Sequence, residues 1–136
     1  MSRSLFMLLT GIYGLLLTVL MLFTPEVAIR NYGAPELNPN HIAVMQFLGL
    51  STGAIALMTL LNRNAPNSYT LRTLLLAQAL LLVGGVALGV YHATAVHVPM
   101  NSFFMGDSLF RLLLGLGFTY FYTRESKLAQ GGAMAA

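Results

Sequence analysis

Long apolar runs alternate with short polar ones along this chain. Four runs dominate, at residues 5–23, 42–61, 73–91 and 102–122. Each has about the 20 residues that a helix rising 1.5 Å per residue needs to cross a hydrocarbon core about 30 Å thick. Leucine-rich stretches such as LLLAQALLLVGG lack the ten-residue alternation of a membrane strand, so the runs predict helices. The expected fold class is all-α: an integral membrane four-helix bundle, a single transmembrane domain over residues 1–136.

The polar punctuation agrees with those spans. Thr24 is an N-cap residue type followed by Pro25 and Glu26. It predicts a short helix lying at the membrane interface until Gly33. APELNPNH then turns the chain back, and NRNAPNSY is a tight connector in which Ser68 can cap the third span. Pro99, within HATAVHVPMNS, breaks the helix between the third and fourth spans. The small residues that close the chain predict a flexible tail over 125–136.

Composition changes the picture only by naming the solvent. Of 136 residues 57% are hydrophobic and 8% charged, against about 25% charged in soluble domains, so lipid is the expected surrounding. Cysteine is absent, which removes disulfides and thiolate chemistry together. The net charge of +3 comes from scattered residues, which gives no footprint for nucleic acid. Their scatter carries topology instead. With both termini in the cytoplasm, Arg3, Arg63, Arg72, Arg124 and Lys127 lie inside and Arg30 alone lies outside, with Arg111 within the membrane. The first run is too long for an ordinary signal segment and is expected to be retained.

That topology sets the depth of the most specific motif, MGDSLFRLLLGLGF. Arg111 precedes the interfacial Arg124 by 13 residues, or about 20 Å along a helix. Asp107 is one turn above it, at the spacing of an intramembrane ion pair. The pair serves either to neutralise and fix the fourth helix or to form a polar site. His41 opens the second span, while His92 and His97 close the third. The topology places all three on the outer side with Asp107 and Glu36, as a possible ligand set. Haem, a chlorophyll-type pigment or, with Met100 and Met105, copper are the cofactor alternatives to none at all. No tight metal spacing appears, and the metal is left unknown.

Packing signals are clearer than chemical ones. Gly49 and Gly53 in the second span, and Gly85 and Gly89 in the third, are each four apart. Small residues let helix backbones approach in lipid, so these two spans are expected to cross there. Gly11, Gly14, Gly115 and Gly117 offer further contacts. Gln46, Ser51, Thr52 and Gln78 are expected to hydrogen-bond across helices.

The order of LFTPE, Gly33, GLSTGAIAL, a short basic link and two glycine-bearing spans resembles small four-helix bacterial inner-membrane proteins, and in outline the DoxX-like group. The resemblance covers about residues 5–122 and brings no catalytic residue with it. It implies a bacterial inner membrane and an accessory role. Two functions follow. One is a non-catalytic accessory or scaffold subunit, bound to the lipid bilayer and to other membrane subunits. The other is a small-molecule, metal, haem or pigment-binding protein or enzyme using the outer polar residues.

Overall fold

In the computed structural model, residues 1–33, 36–98 and 100–134 are described, with the side chains of all but 132–134. Among these residues the chain is all-helical. Its elements are α1 (Arg3–Phe23), α2 (Pro25–Asn31), α3 (Pro39–Leu61), α4 (Tyr69–Ala95) and α5 (Ser102–Met134). Helices α1, α3 and α4 are long and apolar enough to cross a membrane, and only 28%, 17% and 17% of their most apolar windows is buried. Phe47, Leu61 and Tyr69 are among the side chains more than 70% exposed. An apolar surface of this extent is not maintained in water. The protein is a membrane protein.

α5, the fourth expected span, is not among those three helices by length and apolarity. Its 33 residues take in Asp107, Arg111, Arg124, Glu125 and Lys127, which dilute its apolar character. The helix runs on through 125–134, the stretch that the sequence assigns to a flexible tail. Pro99, Ala34, Pro35 and the last two residues fall outside the described residues. The break between α4 and α5 is nonetheless plain, since residues 96–98 are not helical.

Backbone contacts divide the chain into two units. The first comprises residues 1–63 and 99–105, the second 64–98 and 106–136. In the first, α1 and α3 pack antiparallel along a seam of small residues. A Cβ added at Gly14 would lie 2.7 Å from Ala56 Cβ, one at Gly53 would lie 2.7 Å from Thr18 Cγ2, and one at Gly49 would lie 2.7 Å from Met21 Cβ. At Gly11 it would collide with the Leu60 side chain. The seam residues are thus 11, 14, 18 and 21 on one helix and 49, 53, 56 and 60 on the other. This alternating spacing of three and four keeps one face toward a neighbour over several turns. The glycines of the second span therefore seat α1.

The seam also explains Thr18. Its hydroxyl donates to the Gly14 carbonyl at 2.8 Å, which leaves its methyl to meet Gly53. The same internal bond recurs: Thr10, Ser51, Thr52, Thr59, Thr73, Thr94 and Thr119 each donate to the carbonyl four residues back. Ser51 and Thr52 thus bond within α3, not across helices as expected. The local carbonyl is always in reach, whereas a partner helix offers few free acceptors. Gln46 does bridge, donating from Nε2 to the Leu22 carbonyl at 3.2 Å in the last turn of α1, where carbonyls lack helical partners.

In the second unit, α4 and α5 also run antiparallel. A Cβ at Gly115 would lie 2.8 Å from Val83 Cγ2. Toward the other end Asn67 donates to the Glu125 carbonyl at 2.8 Å and accepts from Arg72 at 2.8 Å. Leu71, Leu75, Gln78 and Ala79 on α4, and Phe118, Phe121 and Glu125 on α5, are buried. Gly85, expected at a helix crossing, is exposed, and its Cβ position meets nothing within 4 Å; Gly89 is half-buried.

The seam makes a contrast that unfolding in mixed micelles can read. Gly14→Ala is expected to cost about 1–3 kcal/mol by overpacking, and Ala56→Gly in the same chain should recover most of it. Gly85→Ala should be neutral or stabilising by up to about 1 kcal/mol, because only helix propensity changes. Equal losses at the two glycines would remove the seam as the source of stability.

Candidate functional site

Asp107 and Arg111 lie one turn apart on α5, and Arg111 Nε donates to Asp107 Oδ2 at 2.7 Å. The aspartate side chain is 9% exposed and the arginine 30%. At this length the bond is charge-assisted, and it cancels both charges within one helical turn. The geometry suits a neutralising pair that lowers the penalty of taking two ions out of water.

The three histidines divide between the units, His41 in the first and His92 and His97 in the second. All three are exposed. Among the described residues no three His, Asp or Glu side chains gather in a set that could hold a metal. Met100 and Met105 are 44% and 58% exposed, and Glu36 is exposed.

His97 has a positive φ of 59°, the left-handed conformation that closes many helices. The Val98 N–H reaches back to the His92 carbonyl at 3.1 Å. His97 therefore marks the end of α4. The His92 ring lies 5.7 Å from that of Tyr91.

His41 has a different setting. Asn38 is the N-cap of α3, accepting from the His41 backbone N–H at 2.9 Å. With its oxygen so committed, the Asn38 amide nitrogen faces His41 Nε2 at 3.3 Å. Nε2 is then the acceptor, and Nδ1 carries the proton. His41 lines a groove of about 290 Å³ with Ile29 and Tyr32 from α2 and its margin, and Val44, Met45 and Leu48 from α3.

Asn101 fastens one wall of that groove. It caps α5 by accepting from the Phe104 N–H at 2.8 Å and donates from Nδ2 to the Asn31 carbonyl at 2.8 Å. Tyr32 meets Phe103 and Phe104 edge-on, with ring centroids at 5.4 and 6.3 Å. Asn38 and Asn101 are the site-forming residues that the sequence reading missed. For Asn38 the signal was present, an asparagine directly before a proline at the first helical position. Thr24, the cap expected for α2, makes no capping bond; its hydroxyl turns back to the Leu20 carbonyl at 2.9 Å.

No family model, curated protein or solved structure matches the chain. Its chemistry has to be argued from its own residues.

Two substitutions separate structural from ligand roles. Asp107→Ala should cost about 1–3 kcal/mol by removing the carboxylate that Arg111 Nε donates to, and the exchanged pair Asp107→Arg with Arg111→Asp should recover most of that stability. If the exchange is as damaging as the single change, the pair does more than neutralise itself. His97→Gly should be neutral or stabilising by about 1 kcal/mol, since it relieves the left-handed strain. A marked loss of stability in a melting curve would contradict the helix-end role.

Proposed function

We propose that this chain is a non-catalytic accessory subunit of a larger bacterial inner-membrane complex, crossing the bilayer four times with both termini in the cytoplasm. α5 crosses as the fourth span because Asp107 and Arg111 enter as a pair 2.7 Å apart, so no bare ion meets lipid. α2 lies at the outer interface, and Arg3, Arg63, Arg72, Arg124 and Lys127 on the cytoplasmic side satisfy the positive-inside rule.

The observation that carries the accessory role is the unequal use of glycine. Gly11, Gly14, Gly49 and Gly53 are filled by close contacts within the chain, whereas Gly84 and Gly85 face open space. They lie beside the exposed Leu80, Leu81 and Leu88 on α4. A backbone left bare in this way allows close approach by a partner helix. Eight serine and threonine hydroxyls, meanwhile, bond back to their own helices, and Asp107 and Arg111 neutralise each other. The polar atoms serve assembly better than chemistry.

Gentle extraction followed by native mass spectrometry tests the proposal. Stoichiometric co-migration with a larger enzyme is expected, weakened by Gly85→Leu with the monomer still folded. A lone monomer or simple homodimer overturns it. Accessibility tags at the two ends test the topology separately, and ends on opposite sides overturn the four-span reading.

A further inference from the structure

We infer that the groove between α2 and α3 holds one acyl chain of a membrane phospholipid, with an ester carbonyl of that lipid accepting a hydrogen bond from His41 Nδ1. The inference rests on α3 crossing the bilayer and is independent of the accessory role.

Apart from the His41 imidazole and the Tyr32 hydroxyl, the walls of the groove are apolar. Ile29 is buried, Tyr32 and Met45 half-buried, and Val44 and Leu48 exposed. Its α3 wall continues onto Phe47, which is 72% exposed. This is the lipid-facing surface of a helix long and apolar enough to span the membrane. A molecule that fills the groove therefore arrives from the lipid phase. Lipid tails are as apolar as leucine, so burial alone gives no preference for this groove over the bulk bilayer. A polar anchor can give one.

His41 meets that requirement in position and in chemistry. It is the third residue of α3, so it lies where the span enters the polar boundary, the level at which ester carbonyls of the lipid occur. With the Asn38 amide donating to Nε2, the ring's single N–H donor is on Nδ1, available to an acceptor from outside the chain. Val44, Met45 and Leu48 follow His41 on one face, and Leu48 lies about 10 Å further along the helix. A chain hung from its ester at His41 would run down this stripe.

The test uses the full chain in nanodiscs of phosphatidylethanolamine and phosphatidylglycerol, doped with a phosphatidylethanolamine carrying a diazirine in mid-chain. Irradiation and peptide mapping should find adducts concentrated on residues 44–48 relative to the equally exposed α4 surface around Leu80. His41→Phe should lower that excess about fivefold, the loss of one hydrogen bond of about 1 kcal/mol. Val44→Trp, at an exposed position, should displace the label while a melting curve reports that the fold is kept. Leu80→Trp should change nothing at 44–48. Even labelling of both surfaces, or an excess untouched by His41→Phe and Val44→Trp, means bulk annular lipid only and overturns the inference. Preferential labelling by a diazirine fatty alcohol that lacks an ester, unaffected by excess phospholipid, also overturns it in favour of a free lipophile. A scan of labelling along α3 that shows water-phase exposure instead would count against the membrane reading itself.

Discussion

α1 and α3 approach so closely that a methyl group at Gly14 would lie 2.7 Å from the methyl of Ala56, and the arrangement of the first unit follows from that closeness. Two apolar helices in lipid gain nothing by hiding from the solvent, because the solvent is as apolar as they are. What holds them is dispersion over a long, void-free seam, and dispersion falls away within an ångström of extra separation. Gly11, Gly14, Gly49 and Gly53, facing Leu60, Ala56, Met21 and Thr18 in turn, permit the contact, and Thr18 turns its hydroxyl away. With the seam set, the short link through Thr24 leaves α2 against α3, and the groove at Ile29 and Met45 is the space between a seven-residue helix and a much longer one.

The second constraint is that hydrogen-bonding groups cannot rely on water. Side-chain hydroxyls along the spans meet it locally, by donating to carbonyls one turn back. Helix ends cannot, since their last carbonyls have no continuing N–H. Amide side chains take that task. Gln46 serves the end of α1, and Asn101 serves the end of α2 while capping α5. Asn67 instead reaches a carbonyl inside α5 and holds Arg72 with its other atom. A side chain with both a donor and an acceptor can join two elements at once, which a serine or aspartate at the same places would do less completely.

The helices were legible in the sequence because length and apolarity decide them, and the structure moves their ends only by a turn or so, apart from the extension of α5. The short helix after Thr24 was legible from Pro25, Glu26 and Gly33, and Gly33 does adopt a positive φ of 90°. Partner choice was not legible. GLSTG states that α3 has a small face, but a glycine pair is equally suited to any neighbour. The match that selects α1 is a register between 11, 14, 18 and 21 and 49, 53, 56 and 60, visible only when both helices are aligned antiparallel. Ser51 and Thr52 misled for a related reason: a hydroxyl inside a span must bond, yet the sequence does not say that its own backbone will outcompete a neighbour. His97 carried no pattern signal because its role is a backbone angle.

Asp107 with Arg111 and His41 with Asn38 show why pairing alone does not identify a site. In the first, two opposite charges four residues apart on one helix meet in a charge-assisted bond. Such a pair resists a ligand, because an arriving anion must first displace a carboxylate already held at close range. In the second, Asn38 binds one face of the imidazole and by doing so fixes a proton on the other. The first arrangement closes its chemistry and the second leaves a donor at the rim of an apolar groove. Of the polar clusters that the sequence singles out, the exposed histidine at the start of α3 is therefore the one whose geometry still asks for an acceptor.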